Sequence, residues 1–167
     1  NDDFGEILTN KGRFDDAEKR LQRALELART HHPANSPVIA ETLYNLAELA
    51  AKRGRADDGL PLVEQALAIL DQHPDADPIL RGNVQFRLGA LLSVERDYAR
   101  AERLAQEALS LHRKHLPPND FRLPIAISNM GLLLREQSRN ADAKPYLDEA
   151  VQLAESLQGA DAAALVT

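Results

Sequence analysis

The chain repeats itself every 42 residues, and this period constrains its fold more than any other feature of the sequence. Alanine recurs in register four times, at Ala24, Ala66, Ala108 and Ala150. Two earlier columns repeat with them, at Leu21, Val63, Ala105 and Leu147 and at Ala17, Gly59, Ala101 and Ala143. Such a period indicates supersecondary units that cannot bury their own apolar faces and therefore stack to share one core.

Within each unit the apolar residues fall at helical spacing. One stripe runs from Ala17 to Ala28 at intervals of three and four, and a second runs from Ala40 to Ala50 and ends at Gly54, a typical helix terminator. The sequence therefore predicts an all-α chain, a single array of about four helix pairs. Their approximate ranges are 1–30, 36–72, 77–114 and 120–157, and residues 160–167 are expected to start a further helix.

Helix starts are marked by a capping residue before a proline, at Ser36-Pro37 and Asp77-Pro78. The oxygen-bearing side chain can accept a free backbone N–H, and proline lacks only a hydrogen that the first turn does not use. Asn119 and Asp120 occupy the equivalent place in the next unit.

Pro61 and Pro145 share one register of the repeat. If their helices begin near Asp58 and Asp142, both prolines fall in the first turn, where a missing donor costs little. The acidic residues Asp15-Asp16, Asp57-Asp58 and Asp142 could be imagined as a general acid and base. They are better explained as carboxylates placed at the positive ends of helix dipoles.

The charge balance argues against two classes of partner. The formal net charge is −6, with 26 acidic and 20 basic residues spread along the chain, so no basic stripe is available for nucleic acid. No apolar run is long enough to cross a bilayer, and Asn1-Asp2-Asp3-Phe4 is neither an initiator methionine nor a signal peptide. We therefore expect no nucleic acid or membrane partner and a cytoplasmic location.

Candidate chemistry is sparse in this sequence. The five histidines invite a metal hypothesis, especially at His31-His32 and at His112 and His115. However, His31, His73 and His115 are again 42 residues apart, where each can meet free carbonyls at a helix end. With no cysteine, no phosphate-binding loop and no nucleophile motif, we expect no metal, no cofactor and no catalytic residues.

The repeated residues resemble those of tetratricopeptide repeats, in particular the longer kind found in kinesin light chains and many bacterial regulatory proteins. The resemblance covers essentially the whole chain and rests on three in-register sets: Leu43-Tyr44-Asn45-Leu46-Ala47 with Gly54-Arg55 and Ala66-Leu67, Leu88-Gly89 with Tyr98, Ala101 and Ala108, and Met130-Gly131 with Ala143 and Ala150. It implies a right-handed superhelix of helix pairs. The family's common period is about 34 residues, so the helices here are expected to be longer than usual.

Some positions depart from the family pattern. The chain has no tryptophan, Gly59 replaces the usual alanine, and Asn140 stands where Phe14 and Tyr98 stand in other units. These departures affect local packing and not the architecture. Small residues allow two helix axes to approach closely, so replacing Ala66 or Ala108 with leucine is expected to overpack the crossing.

The resemblance implies a non-catalytic scaffold that binds a peptide or partner helix in a concave groove lined by the first helix of each pair. The column Asn45, Arg87 and Asn129 is the best candidate, because asparagine can bond a peptide main chain through both its donor and its acceptor. Arg87 could instead bind a carboxylate or pair with Glu48. Further groove candidates are Tyr44, Phe86, Glu48 and Lys52, although Tyr44 and Phe86 could equally be core.

Two alternatives remain open. The chain could be a segment of a larger bacterial signalling or regulatory protein whose catalytic domain lies elsewhere. It could also self-assemble end to end through apolar residues near its two ends, with Phe4, Ile7 and Leu8 against Ala163, Leu165 and Val166.

Overall fold

A computed structural model describes the backbone of residues 2–164 and the side chains of residues 13–158. Within this range there are seven α-helices and no strand: α1 (Asp2–His31), α2 (Pro37–Lys52), α3 (Ala56–Asp71), α4 (Pro78–Val94), α5 (Tyr98–His115), α6 (Arg122–Glu136) and α7 (Asn140–Ala164). The predicted all-α repeat fold is confirmed. The helices form two compact units, of which the first ends at Ala76 and the second begins at Asp77.

Three helix hairpins carry the repeat. The first unit holds α1 and the hairpin α2–α3, and the second unit holds the hairpins α4–α5 and α6–α7. In the second unit α6 packs against both α4 and α5. The interpretation of the chain as one continuous array stays a prediction.

The two ends of the described chain differ from the predicted pattern. Residues 2–31 form one continuous helix, so the expected helix pair over 1–30 is wrong. Glycine within a helix costs only about 1 kcal/mol relative to alanine, so Gly12, the counterpart of Gly54, does not interrupt α1. Residues 160–164 continue α7 and do not start a new helix there.

The predicted helix caps are found with one shift of register. Ser36 and Asp77 are the N-cap residues of α2 and α4, and the Asp77 carboxylate accepts a hydrogen bond from the Ile79 amide at 2.9 Å. In the third hairpin Asp120 accepts from the Arg122 amide at 2.9 Å. Asp120 therefore satisfies the first free amide of α6, although Phe121 is the residue directly before that helix. Asp120 is in strict register with Ser36, and Asp77 lies one position earlier than the period requires.

The turn inside each hairpin has the same backbone geometry. Gly54, Arg96 and Ser138, spaced 42 residues apart, all have positive φ, at 71°, 64° and 61°. Each turn repeats two backbone hydrogen bonds, Gly54 to Ala51 and Arg55 to Ala50 in the first, Arg96 to Ser93 and Asp97 to Leu92 in the second, and Ser138 to Arg135 and Arg139 to Leu134 in the third. This is the Schellman motif, which satisfies carbonyls at the helix end.

Replacing Arg96 with glycine should raise the free energy of unfolding by about 1 kcal/mol, because glycine adopts positive φ without the steric cost that other residues incur. Urea denaturation followed by circular dichroism measures the change. The reverse substitution Gly54→Arg is the matched control and should lower stability by a similar amount. A less stable Arg96→Gly variant would contradict the strain at this turn.

The two internal prolines lie deeper in their helices than predicted. Pro61 is the sixth residue of α3 and Pro145 the sixth of α7, because both helices begin two residues before the expected Asp58 and Asp142. The backbone nitrogen at this depth would normally bond a carbonyl four residues earlier, so each proline removes one helical hydrogen bond. Both prolines are exposed, where water can satisfy the freed carbonyl.

Three of the four alanines that recur every 42 residues are buried where two helices cross. Ala66, Ala108 and Ala150 are buried on α3, α5 and α7. Ala24 is exposed on α1, although the repeat predicts that all four alanines lie at matching contacts between helices. The reason is that α1 is a continuous helix with no preceding hairpin partner in the described residues.

Glycine faces alanine at the centre of every hairpin. A Cβ built on each glycine meets the neighbouring helix at the following closest distances: Gly59 to the Ala47 carbonyl oxygen 3.5 Å, Gly89 to the Ala101 carbonyl oxygen 3.0 Å, and Gly131 to Leu147 side-chain atoms 2.8 Å and to the Ala143 carbonyl oxygen 3.3 Å. The unusual Gly59 is thus matched by Ala47, which replaces the glycine of the other hairpins. The close approach of α4 to α5 and of α6 to α7 requires the glycine.

Ion pairs link residues of neighbouring repeats within each unit. In the first unit Arg53, at the end of α2, pairs with Asp15 and Glu18 of α1. In the second unit the α5 residues Glu102 and Arg113 pair with Arg139 and Glu149 at 2.5 and 2.7 Å. Asp15, expected at a helix start, therefore lies within α1 and serves an ion pair.

Candidate functional site

The predicted binding column occupies the middle of three first helices. Asn45 on α2 belongs to the first unit, and Arg87 on α4 and Asn129 on α6 belong to the second. Asn45 and Asn129 are exposed, and Arg87 is half-buried. Their side chains are thus accessible to different degrees, with the two amides the more open.

The flanking candidates divide into surface and core. Lys52 is exposed, and Tyr44 and Glu48 are half-buried. Phe86 is only 9% exposed, and its ring centroid lies 5.5 Å from that of His112. Phe86 is therefore a core residue of the hairpin α4–α5, and its interpretation as a groove residue is corrected.

Two apolar side chains beside Asn129 were not predicted. Ile125 precedes Asn129 by one turn and Leu132 follows it by three residues, and both are exposed. A signal was present in the sequence, because their register counterparts, Asn83 with Glu41 and Ala90 with Glu48, are polar or small. The α6 surface is therefore more apolar than the equivalent surface of α2.

A single buried histidine, His112, lies inside the hairpin α4–α5. His112 is 2% exposed, and its Nδ1 lies 2.8 Å from the carbonyl oxygen of Ala108. Its Nε2 lies 3.0 Å from Oδ1 of Asn83. When the neutral ring donates its Nδ1–H to Ala108, Nε2 is an acceptor, and a flip of the Asn83 amide places the NH₂ group where it donates to Nε2. A Cβ on Gly82 would lie 2.5 Å from Cε1 of the ring. His112 has a structural role, since both of its ring nitrogens meet protein atoms.

Burial lowers the pKa of His112, and the positive charge of Arg122 lowers it further, while the Ala108 carbonyl, Asp120 and Asp77 oppose the shift. The unfolded chain then binds more protons than the folded chain below about pH 6.5. The stabilising contribution of neutral His112 is therefore complete above that pH and is lost as the pH falls toward the lower pKa of the folded protein.

We expect the free energy of unfolding to fall between pH 7.5 and pH 5.5, by up to about 1.4 kcal/mol from His112, because over the pH unit below 6.5 the unfolded chain binds up to one more proton than the folded chain. Urea denaturation at a series of pH values measures this slope. Replacing His112 with glutamine should flatten it. A slope in His112→Gln equal to that of the native chain would contradict the shift.

An apolar cleft of about 460 Å³ lies against the hairpin α6–α7. It is lined by Phe121, Pro124, Ile125, Ser128, Leu147, Ala150, Val151, Ala154, Leu157 and Gln158. On either side of Phe121 in the chain, the side chain and backbone of Arg122 donate hydrogen bonds to Asp120 and lower the pKa of that carboxyl to about 2. The cleft was not predicted from the sequence.

The described residues also bear on whether the chain holds a metal site, a membrane span or an end-to-end contact. Among the residues with described side chains, no three His, Cys, Asp or Glu residues lie close enough to hold a metal ion. None of the described helices is both long enough and apolar enough to span a bilayer. The side chains of Phe4, Ile7, Leu8, Ala163, Leu165 and Val166, named for end-to-end assembly, lie outside the described residues.

Sequence profiles of the tetratricopeptide repeat match residues 2–72, 38–114 and 125–161. No curated protein matches the chain significantly. Among solved structures the chain is similar to BtubC (BKLC) from P. vanneervenii, with 20% identity and a TM-score of 0.71 over 89% of this chain and 59% of that one. It is also similar to the nearly identical TPR-like repeats of a candidate kinesin light chain from Podosopora anserina, with 15% identity and a TM-score of 0.69 over 92% and 73% of the two chains.

Proposed function

Because this chain belongs to the tetratricopeptide repeat family, whose repeats generally mediate protein–protein interactions, we propose that it is a scaffold that binds a peptide on its first helices. The fold is typically non-catalytic, and we propose that these residues catalyse no reaction. The observation that carries the proposal is the exposed asparagine at the same register position of α2 and α6, Asn45 and Asn129.

An exposed asparagine in the middle of a helix is suited to a peptide main chain. Its side-chain carbonyl accepts an N–H and its NH₂ group donates to a C=O, so a single amide satisfies both backbone groups of one bound residue. Such contacts are independent of the peptide's side chains. Selectivity then comes from the neighbours of each asparagine, which are Glu48 and Lys52 for Asn45 in the first unit, and Arg87, Ile125 and Leu132 for Asn129 in the second.

The neighbours favour a peptide with an acidic residue close to an apolar one. Arg87 offers a guanidinium whose fork geometry matches a carboxylate. Ile125 and Leu132 offer apolar surface on either side of Asn129. Both helices belong to the second unit and pack against each other, so one short peptide can meet both features.

Selection of a phage-displayed random peptide library on the purified chain tests the proposal. The dissociation constant of a selected peptide should rise about tenfold in Asn129→Ala, since a lost buried hydrogen-bond pair is worth about 1.4 kcal/mol or more. The melting temperature should not change. The control Gln65→Ala removes an exposed amide from α3 and should leave binding intact.

Two outcomes would contradict the proposal. One is a library that yields no peptide above background. The other is a set of selected peptides whose affinity is the same for Asn45→Ala, Asn129→Ala and the control. Selection repeated on Arg87→Glu should replace acidic residues with basic ones, and an unchanged consensus would remove Arg87 from the site.

A further inference from the structure

The apolar cleft of α6 and α7 presents three large side chains to solvent. Phe121 is 71%, Ile125 53% and Val151 57% exposed. Contiguous exposed apolar surface of this kind marks an interaction site. We propose that the cleft docks one amphipathic α-helix of a partner protein, with a basic edge beside its apolar stripe.

The repeat itself indicates what covers such a surface. The equivalent side of the hairpin α4–α5 is covered, because α6 packs against both of its helices. Leu109, the register counterpart of Val151, is 6% exposed, whereas Val151 is 57% exposed. The column that is covered in one hairpin is therefore open in the next.

The shape of the cleft suits a helix. On α7 its lining residues recur at intervals of three and four from Leu147 to Leu157, so they form one face about 15 Å long at the helical rise of 1.5 Å per residue. A partner helix meets such a face with side chains at positions i, i+3 or i+4, and i+7. Small residues at Ala150 and Ala154 let the two axes approach closely.

The charge beside the cleft determines which charged side chains suit the edge of the partner helix. Residues 147–158 of α7 carry three carboxylates and no lysine or arginine. Asp148 and Glu149 pair with Lys144 and Arg113 at 2.5 and 2.7 Å, so the charge offered to a partner helix rests on Glu155. Glu155 lies one turn after Val151 on the same helix face. A partner helix with lysine or arginine along that side gains attraction at the rim, whereas an acidic helix is repelled.

A synthetic peptide of residues 119–139 is the probe, because it contains α6, the helix that covers the equivalent surface. Fluorescence anisotropy of the labelled peptide against the whole chain should show saturable binding, and a scrambled peptide of the same composition should not bind. Val151→Asp should weaken binding about tenfold or more, because it places a charge in the apolar cleft. The control Gln152→Asp adds the same charge at the next residue and should change affinity less than about twofold.

Several results would overturn this inference. Equal affinity in Val151→Asp and Gln152→Asp would show that the peptide binds elsewhere, for example by displacing α6 from its own place. Light scattering that finds a dimer dissolved by Val151→Asp would make a second copy the occupant instead. Asn129→Ala should retain helix binding. Loss of helix binding in this variant would show that the cleft and the proposed peptide site are one site. Failure of one proposal is therefore distinguishable from failure of the other.

Discussion

Replacing Gly82 with alanine should lower the free energy of unfolding by about 2 to 4 kcal/mol. The new Cβ would lie 2.5 Å from Cε1 and 2.8 Å from Nδ1 of His112. The ring cannot move aside cheaply, because it is buried, bonded to the Ala108 carbonyl and packed on Phe86. Either α4 moves away from α5 or a buried imidazole loses its partners, and both changes are costly.

The control for this substitution is Gly59→Ala in the first hairpin. There the added Cβ would meet no atom closer than 3.5 Å, and alanine favours a helix over glycine by about 1 kcal/mol. Gly59→Ala should therefore be neutral or stabilising. Thermal and urea denaturation of both variants measure the difference in stability. Similar effects of the two substitutions would show that Gly82 is not required by the close approach of α4 and α5.

Replacing Ala108 with leucine should cost about 1 to 3 kcal/mol, since a fully buried alanine at a helix crossing leaves no space for three more carbon atoms. Ala24 occupies the same column of the repeat but is exposed on α1. Ala24→Leu should therefore stay within about 0.5 kcal/mol of the native chain. The pair separates the effect of the crossing from the effect of leucine itself, and equal melting temperatures for both variants would contradict the buried crossing.

The sequence pattern was sufficient to predict helices α2 to α6 and their connections, but not the single helix over residues 2–31 or the continuation of α7 to Ala164. It placed Ser36 and Asp77 at helix starts and Gly54 at a helix end, because caps and turns depend on local backbone chemistry that single residues report. It did not reveal that Arg96 and Ser138 adopt the same positive φ as Gly54. Hairpin packing imposes that conformation on residues that do not favour it by themselves.

Errors of the sequence-based prediction arose where the neighbour of a helix decides the outcome. Ala24 has the same sequence context as Ala66, yet no packing partner covers it among the described residues. Pro61 was expected in a first turn because the start of α3 was placed two residues late, and helix boundaries are the least certain part of such predictions. No error concerns the helical nature of a segment, since every described element is a helix.

The candidate site was predicted in part. The positions of Asn45 and Asn129 on first helices follow from the repeat, and both are exposed as a binding role requires. Phe86 could not be separated from the core by pattern alone, since an aromatic residue suits a buried crossing and a groove equally. The cleft of α6 and α7 was missed because its residues belong to the same stripes that are buried in the preceding hairpin.

The ion pairs of α5 with α7 bear on how the second unit unfolds. Glu102 with Arg139 and Arg113 with Glu149 tie the outer helices of two hairpins together at partly exposed positions. Added electrolyte screens such pairs, whereas it leaves the apolar packing of α6 largely intact. At high ionic strength the two hairpins should thus melt less cooperatively, as nearest-neighbour coupling in a linear array weakens.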